Sequence, residues 1–319
     1  MIAARNTAYW ELAGASVLVG SSVVAGKIAT MHMPVFLSQA ATLAIALLLL
    51  VPLAWRKCRQ ELRLDKKDVL FLLLQSFLGM FLFRVLMLYG LKTVSAAEAG
   101  ILTSFTPAAV AVLSFLLLKE AITVRLGAGI LCSVAGVLCI GAAGWFAIGP
   151  AVQAPPSVFG LLLILSAVLG EAALTVLRKL TSSRVSSLAA TTYVTFFSFL
   201  MFLPFSLVEA SRFDWALLGA RDLGLLLYYG LFVTALAYLL WFRGVTKVPA
   251  ATAAVFTGCI PISTVLLSYV LLHEPFAWAH LAGGAFVFAG IWLVSAPTGV
   301  SAPAGSTARS TSPRSPSAG

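Results

Sequence analysis

Ten stretches of about 20 mostly apolar residues follow one another along this 319-residue chain, separated by short clusters of Lys, Arg, Pro and Gly. About 20 such residues are what one helix needs to cross the hydrocarbon of a bilayer. Runs bounded by charges, Pro or Gly predict helices over 9–28, 35–55, 69–91, 96–118, 126–147, 159–180, 188–210, 222–244, 250–272 and 277–296. Ten spans occupy about 200 positions and leave little chain for a separate soluble domain. The expected fold class is an all-α membrane protein of ten transmembrane helices. Hydrophobic residues make up 61% of the chain and charged ones 10%, against about 25% charged in an ordinary soluble domain.

The chain also repeats itself. A gapless shift of 154 residues aligns Leu82–Gly136 with Leu236–Gly290 at 18 identical positions out of 55, where chance in so biased a composition gives roughly a tenth. The matches pair Gly90 with Gly244, Thr103 with Thr257, Pro107 with Pro261, Glu120 with Glu274, Gly129 with Gly283 and Gly136 with Gly290. The expected organisation is a five-helix repeat over 1–150, a second over 151–297 and a disordered tail over 298–319, whose Ser, Pro, Ala and Gly cannot bury enough surface to offset the entropy of ordering. Five helices per copy turn the second copy over in the membrane, giving the inverted repeats common among secondary transporters.

Orientation follows from the excess of Lys and Arg in short cytoplasmic loops. With the N-terminus inside, 16 of the 21 basic residues fall in inner segments and 4 in outer ones, Arg84 being within a helix. A multi-pass protein of the bacterial inner membrane with both termini cytoplasmic is expected. The net charge of +10 sits in clusters between apolar runs, not on one amphipathic face, so nucleic acid is not expected as a partner. Cys58, Cys132, Cys139 and Cys259 are scattered, and His32, His273 and His280 have no HExxH spacing. With no nucleophile elbow and no P-loop, the expectation is no enzyme, no metal and no cofactor.

The residues that carry chemistry are those the membrane tolerates only for a reason. Pro107 and Pro261 each fall about eleven residues into their predicted helices and free the carbonyls of Thr103 and Thr257 from the helical ladder. A freed carbonyl must be satisfied by protein or by a water-filled cavity, so these four residues are candidate cavity lining. The alternative is a pair of proline kinks satisfied locally by threonine. Arg84 and Glu171 are the deepest charges, and each must face protein or water. They are candidates for substrate recognition and for a protonatable group, with a structural ion pair between them as the competing reading. Gln39 and Gln75 are weaker cavity candidates, and Glu98 at the start of the fourth helix is a candidate cap or site residue. Glu120 and Glu274, which end matched helices, are interfacial residues and candidates for a gate or turn anchor.

The stretch FRVLMLYGLKTVSAAEAGILTSFTPAAVAVLSFLLLKE from Phe83 to Glu120, its echo LLWFRGVTKVPAATAAVFTGCIPISTVLLSYVLLHE from Leu239 to Glu274 and the Gly-rich helix after each resemble the EamA-like branch of the drug/metabolite transporter superfamily. The resemblance implies ten helices, both ends inside, a central cavity between halves, and frequently export of amino acids, related metabolites or drugs. The second copy has Thr252 where the first has Glu98, so any role of Glu98 belongs to one half. Together these readings lead to a secondary transporter, an exporter of an amino acid or other anionic or zwitterionic small molecule, with protons as the candidate coupling ion and the lipid bilayer as surroundings. The alternatives are a broad drug or cation exporter and a membrane assembly component that transports nothing. Oligomeric state is not legible.

Overall fold

The computed structural model describes residues 2–58, 64–103, 105–118, 124, 127–129, 131–132, 135, 157–248, 253, 256–257, 259–274 and 278–295. All regular elements among them are helical: α1 (Ile2–His32), α2 (Val35–Lys57), α3 (Lys66–Leu91), α4 (Ala96–Thr103), α5 (Thr106–Leu118), α6 (Val158–Leu180), α7 (Ser187–Ala210), α8 (Ala220–Lys247), α9 (Cys259–Leu271) and α10 (Trp278–Ser295). Seven segments among the described residues are long and apolar enough to cross a membrane, counting Ala96–Leu117 as one, and Cys259–Leu271 is a shorter apolar helix. Of the predicted span 126–147 only residues 127–129, 131–132 and 135 are described, and the tail 298–319 lies outside the described residues.

Burial is distributed as a lipid environment demands. Large apolar side chains such as Leu48 (78% exposed) and Val270 (66%) face outward, whereas Ser16, Thr42, Thr191, Thr195 and Ser198 are buried with small alanines. Outward leucines cost nothing in hydrocarbon, and small or hydroxylated residues let helices approach closely; many hydroxyls return their O–H to a backbone carbonyl, whereas those of Ser16 and Thr195 have no partner among the described residues. Thr191 donates to the Ser187 carbonyl at 2.8 Å and Thr42 to the Gln39 carbonyl at 2.9 Å. Trp10, Trp278 and Trp292 are outward-facing.

Packing respects the repeat. α2 lies along α7, a pair that exchanges with itself when the halves are swapped, and α3 packs on α6 as α8 packs on α1. The matched glycines show the same rule at atomic scale: a Cβ on Gly90 would lie 2.6 Å from Ile164, and one on Gly244 would lie 2.6 Å from Leu12. The tightest crossing is α1 on α9. A Cβ on Gly20 would stand 1.8 Å from the Ser263 hydroxyl and 2.5 Å from the Ile260 carbonyl oxygen, and the Thr264 hydroxyl donates to the Gly20 carbonyl at 2.9 Å. Gly20→Val is therefore expected to destabilise the bundle by about 1–3 kcal/mol, read as a lowered thermal midpoint of the purified protein; an unchanged midpoint would mean that the two helices do not approach this closely.

Two departures from uninterrupted helix concern the site. A π-helical turn occupies Phe77–Leu82 in α3 and another Tyr229–Ala237 in α8. A shift of 154 residues places the first inside the second, so the deformation recurs at matched positions. An extra residue in a turn rotates the rest of its helix relative to the neighbouring helices, and such turns gather at functional sites. Arg84 and its repeat counterpart Tyr238 lie immediately beyond these turns. The second departure lies within the span expected over 96–118: helix is described over Ala96–Thr103 and again from Thr106, and Phe105 between them is a turn residue. Pro107 is the second residue of the resumed helix, where a missing N–H costs nothing.

Candidate functional site

Between α1, α3, α6, α8 and α9 lies a central cavity bordered by Ser16, Ser22, Arg84, Glu171, Tyr229 and Tyr238 among its polar groups and by Phe83, Leu174, Val233 and Trp241 among its apolar ones. An adjoining space shares Arg84, Glu171 and Tyr229 and adds Thr103. The cavity holds about 40 Å³, room for a few waters but not for a metabolite. In this conformation the walls are closed around their polar groups.

Arg84 is only 3% exposed. Its Nη1 donates to Gln39 Oε1 at 2.8 Å and to the Thr42 hydroxyl at 3.4 Å, its Nη2 donates to the Thr234 hydroxyl at 2.7 Å, and its guanidinium lies 5.3 Å from the centroid of the Tyr229 ring. Gln39 and Thr42 come from α2, Thr234 and Tyr229 from the π-helical part of α8. The planar fork is thus held in one orientation by both halves of the chain. These acceptors are all neutral. Among the described residues the ion pairs are those of Glu11 with Arg243 (3.2 Å) and Lys247 (2.6 Å), so the Arg84–Glu171 pair considered from sequence does not form. The guanidinium stands at the cavity wall with no carboxylate against it among the described residues.

Glu171 sits in the middle of α6, and its Oε2 lies 3.0 Å from the Thr106 hydroxyl. The same hydroxyl lies 2.7 Å from the carbonyl of Thr103. This is the carbonyl that Pro107 removes from the helical ladder, and it is satisfied locally by threonine. Thr103 returns its own hydroxyl to the Gly100 carbonyl at 2.6 Å. One hydroxyl hydrogen cannot serve both neighbours of Thr106 fully. Directed along the shorter contact to Thr103, it leaves a lone pair toward Glu171, a geometry that suits a carboxylic acid donating to Thr106.

The other sequence candidates are dispersed. Gln39 acts on the cavity through Arg84. Gln75 donates to the Phe71 carbonyl (3.1 Å) and to the Thr181 hydroxyl (3.0 Å) and does not border the cavity. Pro261 is buried in α9 beside Ile260, which borders the cavity. Thr257 is buried, and the described cavity lining does not include it. Glu98 forms a capping box with Ser95: its carboxylate accepts from Ser95 N at 2.9 Å, and the Ser95 hydroxyl accepts from Glu98 N at 3.1 Å. Thr106, Thr42, Thr234, Tyr229 and Tyr238 carry no charge and were not singled out from sequence. Tyr238 had a signal there, since the 154-residue shift sets it opposite Arg84.

Glu274 reaches from the end of α9 to the start of α4. Its Oε1 accepts from Ala96 N at 2.8 Å and its Oε2 from Ala97 N at 3.0 Å. These are orphan donors of a helix start, so the carboxylate ties one half of the chain to the other at that end of the bundle. Lys27 reinforces the same end, donating to the carbonyls of Leu91 and, at 2.7 Å, Val94. Glu120, the counterpart of Glu274, lies outside the described residues. Glu274→Ala is expected to cost about 1–2 kcal/mol, seen as a fall in the thermal midpoint; an unaltered midpoint would remove Glu274 as the cap of α4.

Comparison with known proteins places the chain among transporters. A family model described as the EamA-like transporter family matches the chain twice, over residues 7–142 and 158–296. The uncharacterized transporter YetK of Bacillus subtilis (strain 168) is 46% identical over 286 residues, covering 90% of this chain and 86% of that protein. The uncharacterized transporter YvbV of the same organism is 32% identical over 225 residues, 70% of each chain. A crystal structure with 19% identity superposes with a TM-score of 0.62, covering 89% of this chain and 95% of the other, and shares the fold.

Proposed function

Because the chain belongs to the EamA-like transporter family, and is accordingly a multi-pass membrane transporter, we propose that it is a secondary transporter that exports a small zwitterionic or anionic metabolite across the inner membrane by alternating access. In this reading two five-helix repeats of opposite orientation, ten helices in all, enclose the site, and both termini face the cytoplasm. The repeat reading is supported by the double family match, the π-helical turns at matched positions and the contact pattern that survives exchange of the halves.

The observation that carries the substrate class is the separation of the two charged residues at membrane depth. Arg84 and Glu171 border one cavity, yet each is held by neutral partners and not by the other. A cation and an acid on one wall complement a carboxylate and an ammonium group on a single small molecule, and a desolvated guanidinium facing neutral oxygens gains most from an arriving anion. Glu171, able to hold a proton against Thr106, supplies the coupling group.

The test is counterflow in proteoliposomes that contain the purified protein. Vesicles loaded in turn with neutral amino acids, organic acids and lipophilic cations are assayed for exchange against the same labelled compound. Exchange of amino or organic acids, with none of lipophilic cations, is the expected result. Exchange of cations alone would instead favour a drug exporter in which Glu171 meets the substrate, which the apolar share of the lining also suits. No exchange of any compound would favour a membrane assembly role.

A further inference from the structure

A second polar depression lies apart from the central cavity, at the end of the bundle where α6 turns into α7 and α8 ends. It is an open groove of about 520 Å³ bordered by Arg178, Lys179, Ser183, Ser186, Ser187 and Thr246, with Val185 and Val248 as apolar walls. Its volume falls in the range of small-molecule sites.

Arg178 is the feature that points to a ligand. It is 4% exposed, yet it makes no ion pair among the described residues, and its Nε has no hydrogen-bond partner among them. Its Nη2 donates to the Val185 carbonyl at 3.0 Å and its guanidinium lies 5.6 Å from the centroid of the Phe242 ring. Those two contacts orient the group without neutralising it. The nearby carboxylate, Asp68, acts on the guanidinium through space without forming an ion pair with it, and accepts from Ser182 N at 2.9 Å. Elsewhere Arg243 and Lys247 already share Glu11. A buried guanidinium whose Nε–H is left unpaired, and which no carboxylate contacts directly among the described residues, is expensive unless a further anion completes it. The other borders of the groove suit the same chemistry. Lys179 adds a second cation, and α7, 24 residues long, begins at the rim with Ser186 as its N-cap, placing the positive end of a helix beside the two basic side chains.

We propose that this groove binds an oxyanion, a phosphate or carboxylate group, carried either by a soluble metabolite or by a phospholipid headgroup. The groove is independent of the central cavity, and its test reads binding, so loss of this site and loss of the proposed transport activity are separately visible.

The experiment uses the full chain in neutral detergent with Ser183→Cys as reporter, in a background where the native cysteines are replaced by alanine. The rate of maleimide labelling is measured in inorganic phosphate against chloride at equal ionic strength, and separately in micelles containing phosphatidylglycerol against phosphatidylcholine. Phosphate at millimolar concentration is expected to slow labelling at least about five-fold, and Lys179→Gln, an exposed change that leaves the fold intact, to weaken that protection by about five-fold. Protection by phosphatidylglycerol but not by phosphate assigns the same site to a lipid headgroup. Equal rates in all four conditions, or protection that Lys179→Gln leaves unchanged, overturn the proposal.

Discussion

Arg84→Gln is expected to transport at roughly one hundredth of the wild-type rate or less, while remaining folded. A preorganised donor in a water-excluded site is worth about 10²–10³-fold when it acts on substrate charge, and Arg84 is the buried cation of the central cavity, aimed by Gln39, Thr42 and Thr234 and backed by Tyr229. Glutamine retains donors and acceptors for the neutral partners, so its principal loss is the charge. Arg84→Lys is expected to be nearly as impaired, because an ammonium group cannot span acceptors on α2 and α8 at once and still present a fork to a carboxylate. The measurement is counterflow of the substrate found for the wild type, with the thermal midpoint taken in parallel. A folded Arg84→Gln protein that transports at the wild-type rate would make Arg84 a scaffold between the halves.

Glu171→Gln is expected to separate movement of substrate from movement of protons. A glutamine can still donate from its amide to the Thr106 hydroxyl, as the protonated acid does, so the contact with Thr106 and through it with the Thr103 carbonyl survives. Passive exchange then continues, whereas uphill transport does not. A gradient of one pH unit is worth about 1.4 kcal/mol, which supports a tenfold concentration ratio for one proton exchanged per substrate. Wild type is expected to approach that ratio and Glu171→Gln to equilibrate near unity. Retained accumulation in the variant would place the coupling group elsewhere. Thr106→Val tests the same chain of contacts from its other end: it removes the hydroxyl that satisfies the Thr103 carbonyl and is expected to lower stability and slow transport together.

Legibility in the sequence differs between the scaffold and the site. Gly90 and Gly244 are matched by the sequence shift and are found packed against Ile164 and Leu12, which are themselves 152 residues apart. Arg84, Glu171 and Thr103 stand out because a polar or charged group at membrane depth demands a reason, and all three border the central cavity or its extension. The same rule also picks out Gln75, whose amide donates to Phe71 and Thr181 at a distance from the cavity, and it passes over Thr234 and Tyr238. Hydropathy ranks residues by the cost of burying them, and a threonine or tyrosine costs too little to be noticed. Glu98 and Glu274 read as interfacial, and both do serve the start of α4, but only the folded chain brings Glu274 there, from 177 residues away along the sequence.

The sequence by itself determined that this chain is a multi-pass membrane protein, that residues 82–136 echo 236–290, and which family it belongs to, because the cost of placing a residue in hydrocarbon is local and ancestry is written linearly. Tertiary structure alone decided that Arg84 and Glu171 stand unpaired on one cavity, that Thr106 closes the break made by Pro107, and that Arg178 is buried with its Nε unpartnered among the described residues. Those facts depend on the rotational phase of each helix against its neighbours. The π-helical turns in α3 and α8 set that phase for Arg84 and Tyr238, and an extra residue in a turn is stabilised by packing across the bundle, not by the run of residues that contains it.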